Sequence, residues 1–88
     1  MTARTIANMW EVVAMPGSAD ALVKWVFSAA LPELSLATGL QRSEVYRGAD
    51  NRVVVITLWS GEPVTLSEPP EELVAQPPMS WDFEQVQR

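Results

Sequence analysis

The segment at 53–59, Val-Val-Val-Ile-Thr-Leu-Trp, most constrains the fold of this chain. Successive side chains of a β-strand point to opposite faces of a sheet, and here both alternating sets are almost entirely apolar. A half-buried strand would instead alternate apolar with polar residues, so this strand is expected to be buried from two sides. The fold must therefore supply a cover for each face of the sheet that contains it.

The first half of the chain predicts a strand, a helix and a second strand. Residues 5–15 form a strand that is also apolar on both faces. Pro16 and Gly17 then turn the chain, and Ser18 is a candidate N-cap for a helix that should stop or bend near Leu31 and Pro32. The strand at 41–47 is mostly polar, which is typical of the edge of a sheet.

The second half predicts a strand, a short helix and a last strand. A turn at 48–51 joins the edge strand to 53–59 as a hairpin. Pairs of prolines then bracket a short helix predicted at 71–75, because proline suits a helix start and prevents its continuation. Residues 80–87 form the fourth strand, with Trp81 and Phe83 on one face and acidic residues on the other.

This element order predicts one domain over residues 1–88 with an α+β, ferredoxin-like β-α-β-β-α-β fold. Its antiparallel sheet should place the first and third strands at the centre, with both helices on one face. The opposite face is then apolar and uncovered. A second copy of the chain is the simplest cover, so we expect a homodimer in which two sheets pack face to face about a two-fold axis.

Composition excludes several kinds of site. The chain has no cysteine and no histidine, which removes disulfides, thiolate ligands and imidazole bases. Its net charge is −5, and its six basic residues are scattered, so we expect no nucleic-acid partner. The sequence has no signal-peptide pattern and no run of roughly 20 apolar residues for a membrane span. We expect a cytoplasmic protein without a membrane partner.

Four segments, taken in order, resemble the antibiotic biosynthesis monooxygenase-like (ABM) family of the dimeric α/β-barrel superfamily. They are the Met-Pro-Gly-Ser turn at 15–18, the Ser-Glu-Val-Tyr-Arg strand at 43–47, the hairpin into 54–59 and the closing Trp-Asp-Phe-Glu at 81–84. The resemblance implies a dimeric α/β barrel and a cofactor-independent monooxygenase that acts on an aromatic or polyketide-like small molecule. The alternative is a non-enzymatic dimeric binding or accessory protein, because the family has many small members with no demonstrated chemistry.

The chain departs from the catalytic patterns of that family. Haem-degrading relatives combine an iron-ligating histidine on the second helix with an asparagine on the first strand and a tryptophan on the third. Asn8 and Trp59 match two of these positions, but the chain has no histidine, so haem degradation is disfavoured. Cofactor-free oxygenase relatives place an asparagine four residues before the tryptophan, where this chain has Val55. We expect no cofactor.

Five residues are candidates for a ligand pocket: Asn8, Trp10, Tyr46, Arg47 and Trp59. The Trp59 indole either stacks on a small aromatic ligand or packs in the core. Asn8 either contacts a ligand or satisfies a buried backbone group. Tyr46 and Arg47 either present a phenol and a guanidinium to an anionic substrate or serve an interface and the solvent. Trp10 is equally a structural anchor, as are Trp25 and Trp81.

Carboxylates are the remaining candidates for chemistry. A cofactor-free oxygenase needs a proton acceptor, and the first strand offers only Glu11, provided that it turns inward. The acidic residues Glu68, Glu71 and Glu72 either hold a metal or form the solvated start of a helix. Without histidine we favour the second interpretation and expect no metal site.

Overall fold

The computed structural model describes residues 4–87 as a four-stranded antiparallel sheet with one helical segment. The elements are β1 (Thr5–Ala14), α1 (Ala19–Trp25), a π-helical turn (Val26–Ala30), α2 (Leu31–Leu34), β2 (Leu40–Arg47), β3 (Arg52–Ser60), a 3-10 turn (Glu71–Leu73) and β4 (Val74–Glu84). Their order across the sheet is β2-β3-β1-β4, and every neighbouring pair is antiparallel. The fold is α+β and compatible with a ferredoxin-like arrangement.

Strands β1 and β3 lie at the centre of the sheet, as their doubly apolar patterns predict, and the polar β2 lies at an edge. We call the face that packs against the helical segment the inner face. Its central side chains are buried: Ile6, Asn8, Trp10, Val12 and Ala14 of β1, and Val53, Val55, Thr57 and Trp59 of β3. The helical segment contributes Leu22, Val26, Ala30 and Leu34 to this core.

Pro32 changes the helix type without ending the helical segment. An α-helical proline cannot donate to the carbonyl four residues earlier, and its ring crowds that carbonyl. The carbonyl in question belongs to Ser28, which lies in the π-helical turn, and α2 begins one residue before Pro32. The wider π turn accommodates the proline, since such turns insert an extra residue into a helix. The predicted bend is therefore a local widening, and the helical segment continues to Leu34.

The predicted helix at 71–75 is wrong. Residues Glu71–Leu73 form one 3-10 turn, and β4 begins at Val74, six residues before the predicted strand at 80–87. The proline pairs leave too few residues for a stable α-helix, and the residue before a proline avoids the helical conformation. Val74 instead pairs with Ala14, and the two prolines at 77–78 lie on an edge strand beside a register shift, where missing N–H donors are tolerated.

Among residues 4–87, no helix lies on the opposite face of the sheet, which we call the outer face. Strand alternation and register place its side chains in rows across the four strands. Its apolar members are Ala7, Met9 and Val13 of β1, Tyr46 of β2, Val54, Ile56 and Leu58 of β3, and Met79, Trp81 and Phe83 of β4. The four large side chains on the two edge strands are exposed. Within residues 4–87, no helix is long and apolar enough to cross a membrane.

Gly39, just before β2, lies in close contact with the backbone of Ser60 at the end of β3. Its φ is +95°, its carbonyl accepts the Ser60 N–H at 2.8 Å, and an added Cβ would lie 2.8 Å from the Ser60 carbonyl oxygen. Gly17 has a similar φ of +82° but open space around it.

We predict that Gly17→Ala costs roughly 1–2 kcal/mol of unfolding free energy from backbone strain alone, and that Gly39→Ala costs at least about 1 kcal/mol more. Urea unfolding measures both; equal losses would contradict the close contact.

Candidate functional site

A row of polar side chains crosses the inner face at one level. The strand register aligns Ser43 of β2, Thr57 of β3, Asn8 of β1 and Asp82 of β4. Thr57 and Asn8 are buried, at 1% and 4% exposure. Burying such groups costs free energy unless they are hydrogen-bonded. The hydrogen-bond partner of each buried group therefore indicates whether that group serves the core or a site.

Asn8 uses its amide to hold a carboxylate. Its Nδ2 donates to Asp82 Oδ1 at 2.8 Å and makes a longer contact of 3.4 Å with the Trp81 carbonyl oxygen. Hydrogen bonds to an ionised acceptor are stronger than neutral ones. Asn8 is buried whereas Asp82 is exposed. The amide therefore fixes the carboxylate at the boundary between the core and the solvent.

Asp82 lines a cleft of about 390 Å³ at the end of the sheet where β1 begins and β3 ends. We call it the β1–β4 cleft; its lining residues are Arg4, Ile6, Gly61, Glu62, Pro63 and Asp82. Gly61, with φ at +102°, turns the chain away from β3 and donates its N–H to the Arg4 carbonyl at 3.2 Å. Among the described residues, the connection between β3 and β4 contains a 3-10 turn and no α-helix. The volume is near the lower end for ligand pockets.

The charges of the β1–β4 cleft are unbalanced. Arg4 pairs with Glu84, with Nε and Oε2 2.9 Å apart. Among residues 4–87, neither Glu62 nor Asp82 makes an ion pair. The cleft therefore presents two carboxylates beside a cation that is already engaged. A fixed carboxylate of this kind can accept a proton or attract a cation.

In two further clefts within residues 4–87, no lining carboxylate accepts a hydrogen bond from a buried side chain. The larger, of about 430 Å³, is lined mainly by the proline-rich residues that lead into β4, together with Glu68 and Glu71. The other lies between the start of α1 and the β2–β3 hairpin and includes Arg47. In the part of the chain described, no three acidic side chains are grouped as metal ligands. The Glu68, Glu71 and Glu72 carboxylates therefore form no such group.

Trp59 and Trp10 lie in the core of the inner face. Trp59 has 0% exposure, and its indole N–H donates to Thr57 Oγ1 at 2.8 Å, so its polar group is satisfied inside the protein. Trp10 is 2% exposed and pairs with Val55 across the strands. Neither indole lines any of the three clefts. Of the five candidates, Asn8 touches a side chain that lines the β1–β4 cleft, through Asp82, and Arg47 lines the separate cleft beside the start of α1.

The remaining candidates lie elsewhere. Tyr46 is on the outer face, paired with Val54 and half-exposed. Arg47 forms an ion pair with Asp20 near the start of α1. Glu11, the proton acceptor expected if it turned inward, lies on the outer face and pairs with Arg52. The residues predicted from the sequence therefore do not line one common pocket, because they lie on both faces of the sheet.

Asp82 is the member of the site that the sequence analysis did not identify. In the sequence, Asp82 stands between Trp81 and Phe83, and strand alternation places it on the face opposite those two aromatic side chains. Its pairing with Asn8 depends on the β1–β4 register, which shifts between Glu11 and Val13. No pattern along the chain specifies that shift.

Comparison with solved structures supports the fold. The crystal structure of the NE2512 protein of unknown function from Nitrosomonas europaea aligns with a TM-score of 0.72 at 16% sequence identity, covering 100% of this chain and 95% of that chain. A likeness at this identity shows the fold alone. No protein-family model and no curated protein matches the chain.

The burial of Trp59 predicts its energetic role. We expect Trp59→Ala to lower the unfolding free energy by about 3–5 kcal/mol, because a large buried side chain is removed and a cavity is left. Leu36→Ala is the control, since Leu36 is 84% exposed, and it should change stability by less than about 0.5 kcal/mol. Urea unfolding followed by far-UV circular dichroism compares them. Near-wild-type stability of the Trp59 variant would contradict its place in the core.

Proposed function

We propose that this protein is a small ABM-like dimeric α/β-barrel protein with a non-enzymatic role, a homodimer that binds a small molecule or assists another protein. The observation that carries the proposal is the outer face of the sheet, which has apolar side chains on all four strands and no helix over it among the described residues. Contiguous apolar patches of roughly a few hundred Å² on soluble proteins often mark interaction surfaces.

The exposed part of the outer face is rich in aromatic groups. Phe83 is 55% exposed, Tyr46 is 49% exposed and Trp81 is 38% exposed, and Met79 adds a flexible apolar side chain beside them. An aromatic side chain has a surface area of roughly 150–250 Å², so these three side chains together expose about 300 Å² to solvent. Aromatic residues and methionine are also the types enriched in protein interfaces.

The charges of the outer face favour a second copy of the chain over a charged partner. Arg42 and Glu44 form one ion pair, and Arg52 and Glu11 form another. These four charges cancel, although the whole chain carries −5. Two such faces can approach without net repulsion, whereas the acidic remainder of the surface repels its own copy.

The inner face supports the non-enzymatic role. The candidate pocket residues Trp10 and Trp59 are enclosed by the protein's own side chains, and the Trp59 indole N–H is already bonded. A sheet whose inner face is filled in this way leaves the space between helix and sheet without room for a polycyclic substrate. The β1–β4 cleft remains as the place for a small ligand.

We predict that the wild-type chain sediments as a homodimer at micromolar concentration and that Phe83→Lys raises the dimer dissociation constant at least about 30-fold. A lysine at this position would place an unpaired charge inside an apolar interface. Phe27→Lys is the matched control, because Phe27 is 58% exposed but lies on the helical segment.

Sedimentation equilibrium over a range of concentrations gives all three dissociation constants. The control should remain within about threefold of the wild type. A monomeric wild type, or equal weakening by the two lysine substitutions, would contradict dimerisation through the outer face.

The second candidate function is the cofactor-independent monooxygenase. The observation that favours it is the Asp82 carboxylate, fixed by Asn8 at the β1–β4 cleft. Oxygenation without a metal or flavin needs a phenol or enol that loses a proton and then donates an electron to oxygen. Asp82 would be the proton acceptor for that step.

Oxygen consumption with 1,8-dihydroxyanthrone, a polycyclic phenol that autoxidises slowly, separates the two functions. The non-enzymatic proposal predicts a rate equal to autoxidation without protein. Consumption that rises with protein concentration and falls in Asp82→Asn would instead establish the monooxygenase and contradict the primary proposal.

A further inference from the structure

We infer that the β1–β4 cleft binds a small organic ammonium ion, a primary amine on a compact apolar body. Asp82 is the group that receives the ammonium, and Asn8 is the positioning residue that holds Asp82. This inference deepens the proposed binding role and rests on it, but the site is described within one chain and does not require the dimer interface.

The first argument is that the carboxylate is held in place before any ligand arrives. An exposed aspartate normally loses side-chain freedom when it binds, and this loss reduces affinity. Here the buried Asn8 amide already donates to Oδ1 at 2.8 Å. Among residues 4–87, no group donates to Oδ2 of Asp82. This second oxygen is available to accept a hydrogen bond from an ammonium group.

The second argument is the sign of the charge. The cleft contains Asp82 and Glu62 without ion-pair partners in the described chain, while Arg4 is engaged by Glu84. An anionic ligand would meet two carboxylates of its own sign, and a neutral ligand would gain little from them. A cation gains from both, and more so because the β1 side of the cleft is bounded by the low-dielectric core.

The third argument is the apolar part of the lining. Ile6 is 7% exposed and belongs to the core, and Pro63, which also lines the cleft, is half-buried. A strongly hydrated metal ion or a bare ammonium would not use these surfaces. An amine that carries a compact apolar group would bury that group against them while its charge reaches Asp82. The volume of about 390 Å³ suits a ligand with a single ring.

Benzylamine is the probe, with benzyl alcohol and benzoate as neutral and anionic controls that keep the ring. ¹H–¹⁵N NMR titration of the labelled full chain at pH 7 reports which backbone amides shift. We expect benzylamine to shift the amides of Ile6, Gly61, Glu62 and Asp82 in a saturable way. The alcohol should bind at least about tenfold more weakly, and benzoate should give no saturable shift.

Asp82→Asn tests the assigned residue, because the new amide oxygen can still accept from Asn8 while the charge is lost. It should weaken benzylamine binding at least about tenfold. Glu33→Gln is the matched control: it removes the same charge from an exposed position on α2, and should leave affinity within about twofold. Asn8→Ala keeps the Asp82 carboxylate but removes the hydrogen bond that holds it. It should weaken benzylamine binding by less than Asp82→Asn does and by more than Glu33→Gln does.

Several outcomes would overturn the inference: no saturable shift with benzylamine, equal affinity for benzyl alcohol, or unchanged affinity in Asp82→Asn. If Asp82→Asn fails to fold, Glu62→Gln in the adjoining loop takes its place, with a loss of about threefold expected and an unchanged affinity overturning the site. Sedimentation of the same samples separates the two proposals. A dimer without amine binding contradicts the site alone, and amine binding by a monomer contradicts the dimer alone.

Discussion

The pairing of β1 with β3 is the interaction on which the rest of the structure depends. Both strands are apolar on both faces, and their antiparallel register runs over nine residue pairs from Thr5 and Ser60 to Val13 and Arg52. One face of this pair is covered by the helical segment, which packs Leu22 and Val26 against it. In the described part of the chain no helix covers the other face, and the proposed dimer follows from the need to bury it.

The prolines of the last third of the chain determine the other distinctive feature. In the connection between β3 and β4 they limit helical structure to a single 3-10 turn, β4 starts early, and within residues 4–87 there is no second α-helix between these strands. Leu66 from this connection joins the core instead. The first residues of this connection, Gly61, Glu62 and Pro63, line the β1–β4 cleft together with the exposed Asp82. The proline-rich segment is therefore tied both to the shortened fold and to the candidate site.

The alternation of apolar residues and the positions of turn residues predicted the sheet well. They predicted which strands are central, which faces are apolar, and where the β2–β3 hairpin turns, because these features depend on local periodicity and turn chemistry. The start of β4 was predicted wrongly, because Val74 gains its strand conformation from pairing with Ala14. The Asn8–Asp82 contact depends on a long-range register that contains an irregularity. By contrast, alternation alone separates Tyr46 from Arg47, since neighbours on a strand face opposite ways.

Small-angle X-ray scattering tests the central claim, that a second copy buries the outer face, most directly. One chain has a mass of 9.7 kDa and a Cα radius of gyration of 13.5 Å. The account predicts a forward-scattering mass twice that of one chain, with a pair-distance distribution that has one compact maximum, as expected for two sheets packed face to face. A mass of 9.7 kDa at millimolar concentration would contradict it, as would a doubled mass with the elongated distribution of an end-to-end pair.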